Sequence, residues 1–389
     1  MKKKILFIND EMMIGGVSRI LNTFLALLDK EKYEIDLLVL HDHGGLMKEI
    51  PEGVNVLPTS AFFDSVDRSL EDLKKERDIK GLFKKILFVF YMKTGLIKPL
   101  IRNLRRKLLT KHYDVEFSAK EGFCTIFNAC GDSDLKLNWI QTDYEKENYA
   151  RHHMDIFAWA LSRIDQNIAC SNGVKEAFEK VFGVHNITVV HNLMDEERVK
   201  KLSYEKIDYT FDKNYVNLIA VARFHPQKGL DRLLRALKYV NRNGKKADLC
   251  LIGDGILKDA LMQQVKEDGM ENDVTFLGYQ LNPYPYIRQA DLFMMTSLFE
   301  GYPTITIESL ISGTPVFTTE VSGVNEQFRQ PYEAIIVKND DESINEALEE
   351  VVRQREVWQN NKKQLENYHY QNEEILAQME ELIAGRFER

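Results

Sequence analysis

The feature that most restricts the fold lies between residues 292 and 316. Leu292-Phe293-Met294-Met295 is an unbroken apolar run, the mark of a strand buried on both faces of a parallel sheet. The stretch Ser297-Leu298-Phe299-Glu300-Gly301-Tyr302-Pro303-Thr304 follows and opens a helix that Gly313 ends, with Pro315 ahead of the next strand at Val316. Strand, helix and strand in that order make a crossover unit, which calls for a sheet flanked by helices. Glu300 then sits in the loop at the strand's carboxyl end, and Glu308 about one turn into the helix. Ligands of open α/β sheets bind along that edge, and the helix start adds free N–H groups and a positive dipole end. Two carboxylates directed at one crevice suit a polyhydroxylated ligand, because each accepts hydrogen bonds from adjacent hydroxyls.

The same alternation recurs along the chain, whose 389 residues suffice for two domains. Strands are expected at 4–9, 35–40, 54–57, 114–117, 137–141, 165–170 and 187–190, with helices at 17–28 and 171–182. Gly15-Gly16, between the first strand and its helix, has phosphate-cradle geometry, although GxGxxG is absent and no dinucleotide fingerprint exists. The polar, charged segment 195–214 reads as an inter-domain linker. A second set of strands is expected at 216–221, 249–252, 274–277, 292–295, 316–318 and 332–337, with helices at 230–241, 341–354 and 373–389. The predicted domains are therefore 1–195, 196–370 and a carboxy-terminal helix, 371–389, packing back toward the first domain.

Three further loops of the second domain carry chemistry. Ala222-Arg223-Phe224-His225-Pro226-Gln227-Lys228-Gly229 offers two cations at a helix start, Arg as a bidentate fork and Lys as a point charge, which suits a diphosphate. Gly253-Asp254-Gly255 is a second glycine turn, and at Gly278-Tyr279-Gln280 a flat base could lie against backbone.

Charge adds one local contrast. The net charge of −8 argues against a nucleic-acid binder, and no nucleic-acid module is recognisable. Yet residues 79–113 contain no Asp or Glu and ten Lys or Arg, interleaved with Phe, Tyr, Leu and Ile at helical spacing. That pattern predicts an amphipathic surface for anionic lipid headgroups; the alternative is a pair of core-packed helices with a solvated basic face. No stretch has transmembrane length without charge. The lysine-rich first residues are cut off by Asp10-Glu11 and read as a strand rather than a signal peptide. The scattered cysteines lack metal-type spacing and point to a reducing compartment. Asp132-Ser133-Asp134 matches a DxD metal pattern but reads as a polar turn.

Assembled, these residues resemble the retaining, nucleotide-sugar-dependent glycosyltransferases of the GT-B fold. The resemblance is to their glycogen-synthase-like family four, or group 1, which includes many bacterial envelope, capsular and exopolysaccharide enzymes. It is carried by Gly15-Gly16, Arg223 with Gln227-Lys228-Gly229, Gly253-Asp254-Gly255, Phe276-Leu277-Gly278 and above all Glu300 and Glu308 with Gly301, Pro303, Gly313, Thr314 and Pro315. The resemblance implies an α/β architecture of two Rossmann-like, doubly wound parallel-sheet domains facing a central cleft, the first binding acceptor and the second binding donor. It implies that Arg223 and Lys228 hold the donor diphosphate and offset leaving-group charge, that Glu300 contacts the donor sugar and that Glu308 binds the ribose. Backbone N–H groups around Gly301, Tyr302, Pro303, Thr304 and Ile305, with Gly15 and Gly16, would complete the phosphate site, and Gly253, Gly278 and Tyr279 would line the nucleotide side.

One departure stands out. Relatives usually carry His where this chain has Gln141, in Trp139-Ile140-Gln141-Thr142-Asp143. A glutamine can hydrogen-bond but cannot take a proton, so it would position the sugar while the leaving phosphate accepts the acceptor's proton. Asp143 and Glu121 are candidates for acceptor contact or for structural roles. No metal and no cofactor beyond the nucleotide-sugar co-substrate, a UDP-sugar foremost, are expected. The expected function is hexosyl transfer to a lipid-linked or polymeric acceptor in envelope polysaccharide synthesis, on the cytoplasmic face of the inner membrane. A GT-B epimerase or phosphorylase, or a non-catalytic partner subunit, are the alternatives.

Overall fold

The structure, a computed structural model, describes residues 2–41, 43–63, 73–74, 76–146, 151–244 and 246–387, without the side chain of residue 152. The chain divides into two compact units, Met1–Leu193 with Asn372–Arg389, and Met194–Gln371. Each is built on a parallel, open sheet with helical crossovers, the architecture expected from the strand–turn–helix alternation.

In the first unit β1 (Lys3–Asn9), β2 (Tyr33–Val39), β3 (Val54–Val56), β4 (Val115–Ser118), β5 (Leu135–Ile140), β6 (Gln166–Ala169) and β7 (Ile187–Val189) pair in the order β3-β2-β1-β4-β5-β6-β7. The strand order reverses between β1 and β4, so the loops after these two strands flank the switch point. Helices α1 (Gly16–Leu27), α2 (Ile79–Thr94), α3 (Ile97–Leu108), α4 (Phe123–Ala129), α5 (Arg151–Leu161) and α6 (Asn172–Phe182) make the connections. Ile5, Leu6, Phe7 and Ile8 are all fully buried, so β1 is covered on both faces, as its unbroken apolar run requires. Helix α1 turns Ile20, Leu21, Phe24 and Leu25 inward, and Phe24 meets Phe7 edge-on with ring centroids 5.6 Å apart. Burying one such phenylalanine is worth about 2–3 kcal/mol. Ser171 caps α6 by accepting from Val174 N at 3.2 Å.

The basic stretch divides into two helices with different fates. Gly95, at φ +74, turns the chain between α2 and α3. Helix α3 buries Ile97 and Ile101, and its Arg105 donates to Glu116 at 2.5 Å and to the Phe127 carbonyl at 3.1 Å. Helix α2 buries Phe88 and Met92 but leaves Ile79, Phe83, Ile86, Leu87 and Phe90 exposed.

In the second unit β8 (Val216–Val221), β9 (Ala247–Ile252), β10 (Val274–Gly278), β11 (Leu292–Met295), β12 (Val316–Thr319) and β13 (Ala334–Val337) pair in the order β10-β9-β8-β11-β12-β13. The switch point lies between β8 and β11, the strands that precede the two charged loops. The helices are α7 (Glu196–Ser203), α8 (Leu230–Asn241), α9 (Lys258–Glu267), α10 (Tyr284–Gln289), α11 (Thr304–Ile311), α12 (Asp341–Arg353) and α13 (Arg355–Gln364). Leu233, Leu234, Leu237 and Val240 of α8 pack into a core with Leu218, Leu249, Leu251 and Leu292 of the sheet.

One expectation is corrected here. Residues 195–214 are not a plain linker, because they contain α7, which packs on α10 and α11. Asp195 caps it by accepting from Arg198 N at 3.1 Å, Glu196 and Glu197 occupy its first turn, and Lys200 and Lys201 its last. Caps and dipole complementarity stabilise this helix although only Val199 and Ser203 are buried. The chain ends in α14 (Asn372–Ile383), which belongs to the first unit and buries Ile375, Met379, Leu382 and Ile383. Lys3 Nζ donates to the Ile383 carbonyl at 2.6 Å, tying the helix end to β1.

Candidate active site

The carboxyl edge of the second sheet is assembled by backbone contacts between its loops. Ala222 N donates to Ile252 O at 3.0 Å, Phe224 N to Asp254 O at 2.8 Å and Leu257 N to Phe224 O at 3.0 Å, so the loops after β8 and β9 are laced together. Gly253 N donates to Gly278 O at 2.9 Å, which joins the loop after β10 to the same edge. Glycine is required here: Gly253 has φ +141, and a Cβ would lie 1.9 Å from Ala222 O. Gly229, at φ +57, likewise leaves no room for a Cβ, which would meet Thr296 O at 2.2 Å. Tyr279, after Gly278, is exposed at the end of β10.

Lys228 and Glu300 come from segments 72 residues apart and meet at this edge. Gln227 spans the two loops, with Nε2 donating to Phe299 O at 2.9 Å and its own carbonyl accepting from Leu298 N at 2.8 Å. Within that frame Lys228 Nζ lies 2.6 Å from Glu300 Oε1, and Ser297 Oγ donates to the same oxygen at 2.7 Å. Glu300 is 9% exposed, so the pair is only weakly screened by water. Arg223, at the end of β8, has no side-chain partner among the described residues. The two cations of the loop therefore differ: one is neutralised by a carboxylate and the other is open.

Helix α11 starts at Thr304 with Pro303 as its cap residue, and no side chain of its own caps it. Gln327, buried, braces this start by donating to Pro303 O at 2.9 Å and accepting from Thr306 Oγ at 2.6 Å. Gly301, Thr304 and Ile305 are half-buried around the turn, and Tyr302 is buried with its hydroxyl 3.1 Å from that of Tyr370. Glu308 is half-buried one turn into α11. The structure thus brings Lys228 and Glu300 into contact and places Arg223, Gly253, Gly278, Tyr279, Gly301–Ile305 and Glu308 along one sheet edge.

The remaining expected residues belong to the first unit. Gly15 caps α1 in extended conformation, φ −177, with nothing within 4 Å of where a Cβ would stand, and Gly16 begins the helix. Both follow β1 at its switch-point edge. Gln141, at the end of β5, exchanges two hydrogen bonds with Asn192, each 3.0 Å, so its amide is held flat against another amide. Glu121 is buried after β4 and accepts from Gln141 N at 3.0 Å. Burial pushes its carboxyl up, against hydrogen bonds from Thr142 and the Gln141 N–H. It braces β4 against β5. Asp143 accepts from Glu145 N at 3.0 Å, a local turn contact. Asp132-Ser133-Asp134 lies in the connection from α4 to β5, at the opposite edge of the sheet, with Asp134 3.2 Å from His112.

Residues 205–372, nearly the whole second unit, match the family model of glycosyl transferases group 1. This unit is a group 1 glycosyltransferase domain. An uncharacterized glycosyltransferase of Methanocaldococcus jannaschii is 26% identical over 249 residues, a match that spans 60% of each chain. A Campylobacter jejuni protein named as an N-acetylgalactosamine-N,N'-diacetylbacillosaminyl-diphospho-undecaprenol 4-alpha-N-acetylgalactosaminyltransferase is 24% identical over 85% of this chain and 84% of its own. Among solved structures, that of Anabaena HepE in complex with UDP and glucose superimposes with a TM-score of 0.69 at 16% identity, covering 98% of this chain and 100% of that one. With its two parallel-sheet units, the chain has the GT-B fold. Sequence reasoning did not single out Ser297 or Gln327, since a lone Ser and Gln in polar loops carry no signal until the partners are seen.

Proposed function

We propose that the glycosyltransferase is a retaining enzyme that takes a hexosyl group from a UDP-sugar and delivers it to a lipid-linked or polymeric glycan of the cell envelope. The observation that carries this reading is the switch-point edge of the second sheet, where Lys228 pairs with Glu300 and Arg223 stands open on the same edge as the start of α11. Arg223 and Lys228 bind the diphosphate and offset the charge that builds on it as the sugar leaves, so the reaction needs no divalent metal and proceeds in excess chelator. Glu308 accepts from the ribose hydroxyls and Glu300 from the donor sugar. Gln141 cannot take a proton, and the leaving phosphate serves as the base for the acceptor hydroxyl. A solved GT-B neighbour holds UDP and glucose, and a relative is named for a diphospho-undecaprenol acceptor, which supports both halves of the reading.

Calorimetric titration with UDP, UDP-glucose, UDP-galactose, UDP-N-acetylglucosamine and GDP-mannose tests the donor half. One UDP-sugar is expected to bind in the micromolar range, with affinity falling at least about tenfold in Glu308→Ala as two hydroxyl contacts are lost. Absence of any nucleotide binding would falsify the donor assignment.

The lipid half rests on α2. Among the described residues no helix is long and apolar enough to cross a membrane. Helix α2 instead exposes Ile79 at 80%, Phe83 at 67% and Phe90 at 51%, with Lys80, Lys84 and Lys93 beside them in sequence. The protein works at the inner face of the cytoplasmic membrane, lying on the bilayer through α2. Vesicles containing phosphatidylglycerol are expected to sediment the protein at low salt. The double variant Phe83→Asp/Phe90→Asp should weaken that binding by more than about tenfold. Equal sedimentation of the variant would exclude α2 as the docking element.

A further inference from the structure

We infer that Glu300 is an internal rival of the donor diphosphate for Lys228, and that Ser297 is the positioning residue that holds it in place. This deepens the donor-site reading and rests on it. The Glu300 carboxylate receives Lys228 Nζ at 2.6 Å and Ser297 Oγ at 2.7 Å on one and the same oxygen, Oε1. Ser297 is fully buried, and its carbonyl is in turn held by the Thr319 hydroxyl at 2.7 Å. Asn339 Nδ2 donates to the next carbonyl, that of Leu298, at 3.0 Å. With the Gln227 crosslinks, these bonds hold the loops after β8 and β11 at one spacing. The ion pair is therefore a property of the frame, not a chance meeting of two long side chains on the surface, where such pairs contribute little.

The consequence concerns which ligands can displace the carboxylate. A diphosphate that engages Lys228 competes with Glu300 for the same ammonium, and a partly buried carboxylate that loses its cation is unfavourable. UDP alone carries no group beyond its terminal phosphate to satisfy the released carboxylate. A nucleotide-sugar carries sugar hydroxyls next to the diphosphate, and an ionised carboxylate is an acceptor for them. The pair thus weakens binding of the bare nucleotide more than that of the donor. After transfer, when only the nucleoside diphosphate is left, Glu300 reclaims Lys228 and favours release of the product. Arg223 takes no part in this exchange, having no carboxylate to lose among the described residues.

The test is calorimetry on the full chain with UDP and with the three UDP-sugars above. Glu300→Gln keeps the shape of the side chain and removes its charge. It should bind UDP about tenfold more tightly than the wild type, the factor that 1.4 kcal/mol of pairing corresponds to. The preferred UDP-sugar should gain no more than about twofold, so that the ratio of the two affinities falls. Ser297→Ala, which touches neither ligand, should move the same ratio in the same direction by about threefold, an effect that mere loss of stability would not produce. In a Lys228→Met background the Glu300→Gln gain should vanish, because there is no ammonium to release. Should Glu300→Gln melt far below the wild type, Glu300→Asp, which withdraws the carboxylate by one methylene, should show the same rise in UDP affinity. UDP binding that is unchanged or weaker in the variants overturns the inference while leaving the donor site standing. No nucleotide binding by the wild type removes the donor site and the inference together.

Discussion

Arg223→Ala is expected to lower kcat/KM by about a hundredfold to a thousandfold, the loss seen when one preorganised charge-stabilising donor is removed. The size of the effect follows from the inequality of the two cations. Lys228 faces Glu300 at 2.6 Å, so part of its charge is already answered before substrate arrives. Arg223 has no partner among the described residues and can give its whole guanidinium to the proposed donor diphosphate. For the same reason truncating it strands no buried group, so the melting temperature should stay within about 1 °C. Steady-state kinetics and a thermal melt on one preparation check both statements. A full-activity Arg223→Ala would remove this residue from the leaving-group site.

Gly253→Ala should cause the largest loss of stability of any single methyl group added to the second unit. At φ +141 the backbone is in a region that L side chains rarely adopt, and the new Cβ would lie 1.9 Å from Ala222 O. Relief by movement is blocked, because Gly253 N is bonded to Gly278 O at 2.9 Å and Ala222 N to Ile252 O at 3.0 Å. Strain and clash together should cost on the order of 4 kcal/mol, or roughly 8–16 °C in Tm for a unit of this size. Gly15→Ala is the matched control: its φ of −177 is open to any residue and nothing lies within 4 Å of the new methyl. There the change should stay within about 1 kcal/mol. Similar melting of the two variants would show that the loop after β9 yields more readily than its hydrogen bonds imply.

Much of the fold is legible in the sequence because its strands are buried on both faces. Runs such as Ile5–Ile8 and Leu292–Met295 have no polar residue to blur the period, and the loops after them carry Gly15-Gly16 and Gly301 with Pro303, which mark where the next helix begins. Helix α7 is hidden from the same reading because it buries only Val199 and Ser203, too few positions to show a helical period; its caps are the remaining signal. The basic stretch is legible in composition but not in orientation. Helix α2 is the more apolar of the two and α3 the more basic, yet α2 leaves Phe83 and Phe90 outside while Ile97 and Ile101 of α3 go inward, an outcome that composition alone does not foretell. At the site, the loops that carry Arg223, Lys228, Glu300 and Glu308 can be placed from strand order and motif. The pairing of Lys228 with Glu300 cannot, since it joins segments 72 residues apart through Ser297 and Gln227.

The return of α14 to the first unit bears on how the protein is made. Residues 194–371 form a unit of their own, whereas the first unit lacks part of its core until Met379, Leu382 and Ile383 are available. During translation at about 5–20 residues per second, residue 383 follows residue 193 by on the order of 10–40 s. For that interval the second unit can fold while the first, begun earlier, waits with the apolar surface destined for α14 uncovered. The part of the chain synthesised first is thus the last to be finished, and its nascent form is the one most in need of chaperone protection.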